Sequence, residues 1–157
     1  MIGGVPVTIG FAWLMVIAGS HEIAKTITNN RSFFLLIGSA LAVMIDLILD
    51  PVAFIVKEYW IWTEGGFFYD IPLSNFLGWF FLSLLFHGIG SLLINQEQNL
   101  WGPRIAFVFG GVQFMFIWLA VLGGIYWAAF INGVLLVFWI AFYSYKYKDN
   151  FKLRRFL

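Results

Sequence analysis

The 157-residue chain is 62% hydrophobic and 21% aromatic but only 11% charged, where a soluble domain averages roughly 25% charged residues, and this excludes a water-soluble globule. A formal net charge of +1 offers no large basic face to nucleic acid, and the absence of cysteine excludes zinc fingers and Cys-ligated clusters. The apolar residues fall in runs of about 17 to 22 positions, each long enough to cross a hydrocarbon core about 30 Å thick as a helix. The expected fold is therefore all-α, a polytopic transmembrane helix bundle forming a single integral membrane domain over residues 1–157.

Five spans fit. No lysine or arginine precedes Lys25, so the start at Met1 lacks the charged region of a secretory signal peptide, and the first run, about 7–24, reads as a retained span. The second, about 33–49, carries Asp46 near its end, and Pro51 is expected to stop that helix. A polar segment over 50–72 leads to the third span, about 73–94, which holds Asn75 and His87. The last two, about 105–122 and 125–145, lie in one apolar stretch too long for a single crossing, with Gly123-Gly124 as the expected turn. A basic tail over 146–157 reads as a stop-transfer anchor, with contact to anionic lipid as the second reading.

Lysine and arginine are retained on the cytoplasmic side of a membrane. Lys25, Arg31, Arg104 and the basic tail fall on one side of a five-span bundle and Lys57 alone on the other, so the expectation is an outside amino terminus and a cytoplasmic carboxyl terminus. The plasma membrane is the expected setting.

Five of the eight carboxylates lie in one stretch: Asp46, Asp50, Glu58, Glu64 and Asp70. Asp46 and Asp50 are four apart, which puts both carboxyls on one helix face about a turn from each other. An acid at hydrocarbon depth is costly when charged, and a like-charged neighbour adds to that cost, which makes Asp46 a general-acid candidate. The alternative is a carboxyl that bonds a neighbouring helix. Tyr59, Trp60, Trp62 and Tyr69 suit an interfacial aromatic belt, and together with the carboxylates they could also line a pocket whose ring faces stabilise a cation. Asn75 and Trp79 follow Pro72 at a helix start; Asn75 is placed to orient a water or to cross-link helices. His21 and His87 are expected too far apart to share a metal site, and no metal or cofactor is expected.

The ordered run Asp46, Asp50-Pro51, Ala53, then Trp60 and Trp62, then Gly66, Tyr69, Ile71-Pro72, Asn75-Phe76, Gly78-Trp79 resembles the membrane proteins of carotenoid biosynthesis that include bisanhydrobacterioruberin hydratases and gamma-carotene hydratases. The resemblance implies cofactor-independent addition of water to the terminal double bond of an acyclic or half-cyclic carotenoid, giving a tertiary alcohol. Protonating such an alkene makes a tertiary carbocation, so the site needs an acid, aromatic faces and one admitted water. On that reading Asp46, Asp50 and Asn75 are the catalytic residues, and Trp60, Trp62, Tyr69 and Trp79 bind the lipid-soluble substrate. Position 70 is Asp where the family pattern carries a small residue such as glycine, which implies an added pocket carboxylate or a changed substrate. Family members are longer, so a short form or fragment is expected, with other carotenoid-pathway membrane proteins as partners beside the membrane lipids. Two other classes remain: a non-catalytic subunit or scaffold that binds isoprenoids, and a small proton- or cation-coupled transporter, for which the fourth and fifth spans offer only Gln113, Asn132 and Ser144.

Overall fold

The computed structural model describes residues 7–93 and 102–154. The described residues form five α-helices: α1 (Val7–Ile27), α2 (Arg31–Pro51), α3 (Leu73–Leu93), α4 (Gly102–Leu122) and α5 (Tyr126–Arg154). Among the described residues there is no strand, only an isolated bridge between Phe68 and Ile71. The start at Met1, the expected end of the third span at Ile94 and Arg155 of the basic tail lie outside the described residues.

Among the described residues, four stretches are long and apolar enough to cross a membrane: Arg31–Val56, Leu73–Leu92, Gly102–Leu122 and Tyr126–Lys148. The fifth helix, α1, carries Ser20, His21 and Glu22 in its second half, all of them buried inside the bundle. Polar groups turn inward and large apolar side chains outward, with Phe81, Phe107 and Phe138 at 63%, 81% and 68% exposure. That arrangement suits a lipid surround, where an unpaired polar group is costly and a phenyl ring is not.

The helix α2 is central and packs against all four others, whereas α3, among the described residues, packs against α1 and α2 alone. One core cluster joins Val16 and Ile23 of α1, Ile45 of α2, Phe109 of α4 and Trp139 of α5. A second, nearer the polar loop, joins Ile48 and Val52 to Ala120, Ile125 and Ala128. Small residues allow close approach: a Cβ at Gly19 would lie 2.5 Å from the Phe109 ring, so α1 and α4 pack directly there. A Cβ at Gly102 would collide with the Glu22 carboxyl, which therefore lies against the first turn of α4, where the helix dipole favours an anion.

Pro51 does not stop the chain's coiling. It is the last α-helical residue, and the helix widens into a π-helical turn over Val52–Val56, closed by Lys57 N–H donating to the Val52 carbonyl at 2.9 Å. Proline lacks the N–H that would continue the α ladder, and a wider turn re-pairs the backbone beyond it. Asp50 stays helical as a result. The Gly123-Gly124 turn forms where expected, with Gly124 at φ 76° and the Ile125 N–H donating to the Ala120 carbonyl at 3.0 Å. The basic tail is not a separate segment: α5 runs on unbroken to Arg154.

Candidate functional site

Three of the sequence-derived site residues meet at the α2–α3 interface. The Asn75 side-chain amide donates to Asp46 Oδ2 at 2.9 Å and to Asp50 Oδ2 at 2.6 Å. Their positions follow from local rules. The four-residue spacing stacks the two carboxyls along α2, and Pro72 ahead of α3 sets Asn75 in that helix's first turn, with its N–H donating to the Pro72 carbonyl at 3.0 Å. Asp46 is wholly buried and Asp50 is 3% exposed. The remaining Asp46 oxygen, Oδ1, is buried without a hydrogen-bond partner.

Both ends of the polar loop are anchored beside this group, because the loop leaves α2 one turn beyond Asp50 and re-enters α3 just before Asn75. Trp60 and Trp62 lie on it half-buried, and each indole N–H is buried without a partner. A tight reversal over Phe68–Ile71 holds its far half, with Tyr69 and Asp70 both left-handed at φ 53° and 58° and the Ile71 N–H donating to the Phe68 carbonyl at 3.1 Å. Two successive residues of positive φ make a type I′ turn. Gly66 is required beside it, since a Cβ there would strike the Ile71 carbonyl.

Asp70 is exposed on that turn and adds no carboxylate to the buried pair. A left-handed φ is the position glycine favours, and aspartate is among the few other residues that accept it. The Tyr69 hydroxyl accepts from the Ala128 N–H at 3.1 Å and so satisfies an otherwise open donor in the first turn of α5. The same ring lines an open groove of about 510 Å³ with Tyr126, Trp127 and Phe130.

The tryptophans are not gathered. Trp79 stacks on Trp13 of α1, ring centroids 3.9 Å apart, and among the described residues no ring contact joins Trp60, Trp62 and Trp79. Nothing in the spacing of the first span marked Trp13 as a partner.

The histidines correct the expectation of distance. His21 Nδ1 and His87 Nδ1 are 3.4 Å apart, and Ser20 Oγ is 3.3 Å from His87 Nε2. Twelve residues separate His87 from Asn75, a rise of about 18 Å at 1.5 Å per residue, which carries His87 to the end of the bundle where α1 finishes. No group of three metal-ligating side chains occurs among the described residues. In the other half of the bundle Gln113 donates to Asn132 Oδ1 at 3.2 Å and accepts from the Trp139 indole at 2.9 Å, which ties α4 to α5.

No curated protein and no solved structure gives a significant match to the chain. The model of one protein family does, described as carotenoid biosynthesis protein, and it spans residues 1–140. The chain therefore belongs to the carotenoid biosynthesis protein family, and the buried carboxyl pair sits inside the part that defines the membership.

Proposed function

We propose that the protein hydrates the terminal double bond of an acyclic or half-cyclic carotenoid without a cofactor. Its family gives it a role in carotenoid biosynthesis, and with that a lipid-soluble carotenoid substrate, in a membrane protein. The observation that carries the finer reading is the state of Asp46: fully buried, tied by one oxygen to Asn75, and left with the other oxygen free.

The chemistry follows. Asp46, through Oδ1, gives its proton to the less substituted alkene carbon, and the π electrons form that new C–H bond. The tertiary carbocation left behind takes an oxygen lone pair from water, and the proton the water sheds goes to Asp50. Transfer across the carboxyl pair restores Asp46, so alkene and water are consumed and a tertiary alcohol is the product. Asn75 holds the pair at one spacing. Trp60 and Trp62, whose indole N–H groups are unpartnered, lie on the loop whose two ends flank the pair, and their aromatic faces stabilise a passing cation. A substrate this apolar reaches the site from the bilayer.

The test is expression in a host that accumulates an acyclic or half-cyclic carotenoid, followed by mass analysis of the extracted pigment. The expected gain is one water per modified end, falling about 10²- to 10⁴-fold in rate when Asp46→Asn or Asp50→Asn removes the acid–base group. Unchanged pigment from folded wild-type protein would overturn the reading; pigment retained on the purified chain without mass gain would mark a binding scaffold.

A further inference from the structure

The Asp46–Asp50–Asn75 group and the Ser20–His21–His87 group occupy opposite ends of one packed seam. Along α3 the residues Asn75, Trp79, Ser83 and His87 recur every four positions and so share a face. The antiparallel register that sets Asn75 against Asp46 and Asp50 also sets His87 against Gly38, where a Cβ would lie 2.7 Å from the imidazole. By that register Ser83 of α3 lies between the two groups, opposite about Ala42, and Ser39 of α2 lies nearer the histidines, next to Gly38.

Both serines are fully buried, and neither hydroxyl has a hydrogen-bond partner. This sets them apart from other helical hydroxyls in the chain. Ser20 donates to the Val16 carbonyl at 2.7 Å, Thr26 to the Glu22 carbonyl at 3.1 Å and Ser91 to the Gly88 carbonyl at 2.7 Å. Bonding back to the preceding turn is the ordinary recourse of such a hydroxyl in an apolar interior. Ser39, Ser83 and Asp46 Oδ1 thus leave three orphaned polar atoms on the two packed helices, and from the histidine contact toward Asp46 the buried residues of α2 include the small Gly38, Ser39 and Ala42. Buried polar atoms are normally paired, and where protein supplies no partner an ordered water does.

We propose that the α2–α3 seam holds a file of bound water that joins the carboxyl pair at one end of the bundle to the histidine pair at the other. The waters bond the Ser39 and Ser83 hydroxyls and the free oxygen of Asp46. Their use rests on the hydration reading above: each turnover consumes one water, and the seam is a route that an isoprenoid lying across the carboxyl end leaves open. Their presence does not depend on that reading.

The chain contains no cysteine, so single-cysteine variants are read against zero background. Ser39→Cys, Ser83→Cys and, on the outward face, Phe81→Cys are purified in detergent without substrate and treated with the small cation methanethiosulfonate ethylammonium. A thiol reacts as its thiolate, which forms where water solvates it, so both serine sites are expected to label roughly tenfold or more faster than Phe81→Cys. Labelling at both sites as slow as at Phe81→Cys, in monodisperse protein, would overturn the water file. Radiolytic footprinting of the unsubstituted chain gives the same answer if either variant misfolds, because hydroxyl radicals made from bound water oxidise His87 in a wet seam and spare it in a dry one. A chain that labels yet hydrates nothing keeps the file and loses only the use assigned to it.

Discussion

The Asn75 amide donates to both buried carboxyls, so its removal strands two oxygens at once. Asn75→Leu is expected to destabilise the bundle by about 1–3 kcal/mol, the range for a buried polar atom left without a partner, read as a lowered unfolding midpoint in detergent. The same variant should abolish the pigment mass gain even where folded protein remains, since the carboxyls lose their common anchor. Asp70 makes a different case. Its exposed position and its φ of 58° say that backbone conformation, and not chemistry, selects the residue there. Asp70→Gly should leave stability and pigment product unchanged, while Asp70→Val, which resists the left-handed region, should lower stability by about 1–2 kcal/mol by the same midpoint.

Helix ends and interruptions set the geometry one level up. The side chain of Asn30 accepts from the N–H groups of Ser32 and Phe33 at 3.0 and 3.1 Å, and so starts α2, the helix that carries both carboxyls. Asn30→Ala should destabilise by about 1 kcal/mol, measurable as a shift in thermal midpoint with the pigment product unaffected. At the other end of α2 the π-helical turn lets the chain pass Pro51 without a break, which holds Asp50 in helical register with Asp46. The hydrophobic run located the helix, but only the three-dimensional backbone shows how the proline is absorbed, because a wider turn and a stop share the same local composition. The carboxyl spacing was legible for the opposite reason: positions four apart share a face in any α-helix.

Across the whole bundle, charge separates by end. Lys25 closes α1, Arg31 opens α2 and Arg104 lies in the first turn of α4, while Lys146 and Lys148 lie late in α5, the former over the Phe142 ring at 6.0 Å. Alternating helix directions put all of these at the histidine end, and Lys57 at the carboxyl end. By the retention of basic residues on the cytoplasmic side, we propose that the histidine end faces the cytoplasm and the carboxyl pair lies toward the outer face. A membrane-impermeant maleimide should then label Glu64→Cys in intact cells and label Lys148→Cys only after the membrane is opened. The reverse pattern would invert the assigned orientation.

The sequence by itself determined an all-helical membrane bundle, the pairing of Asp46 with Asp50, the glycine turn before α5 and the family resemblance. Each of these rests on composition, a fixed helical period or a short ordered motif, all of which are local. Tertiary structure alone decided that Asn75 bridges both carboxyls, that Trp79 stacks on Trp13 and that His21 meets His87. It also removed Asp70 from the buried group. Those outcomes depend on the register between helices distant in the chain, and register is set by how Gly19, Gly38 and their neighbours let the helices approach, which no window along one helix contains.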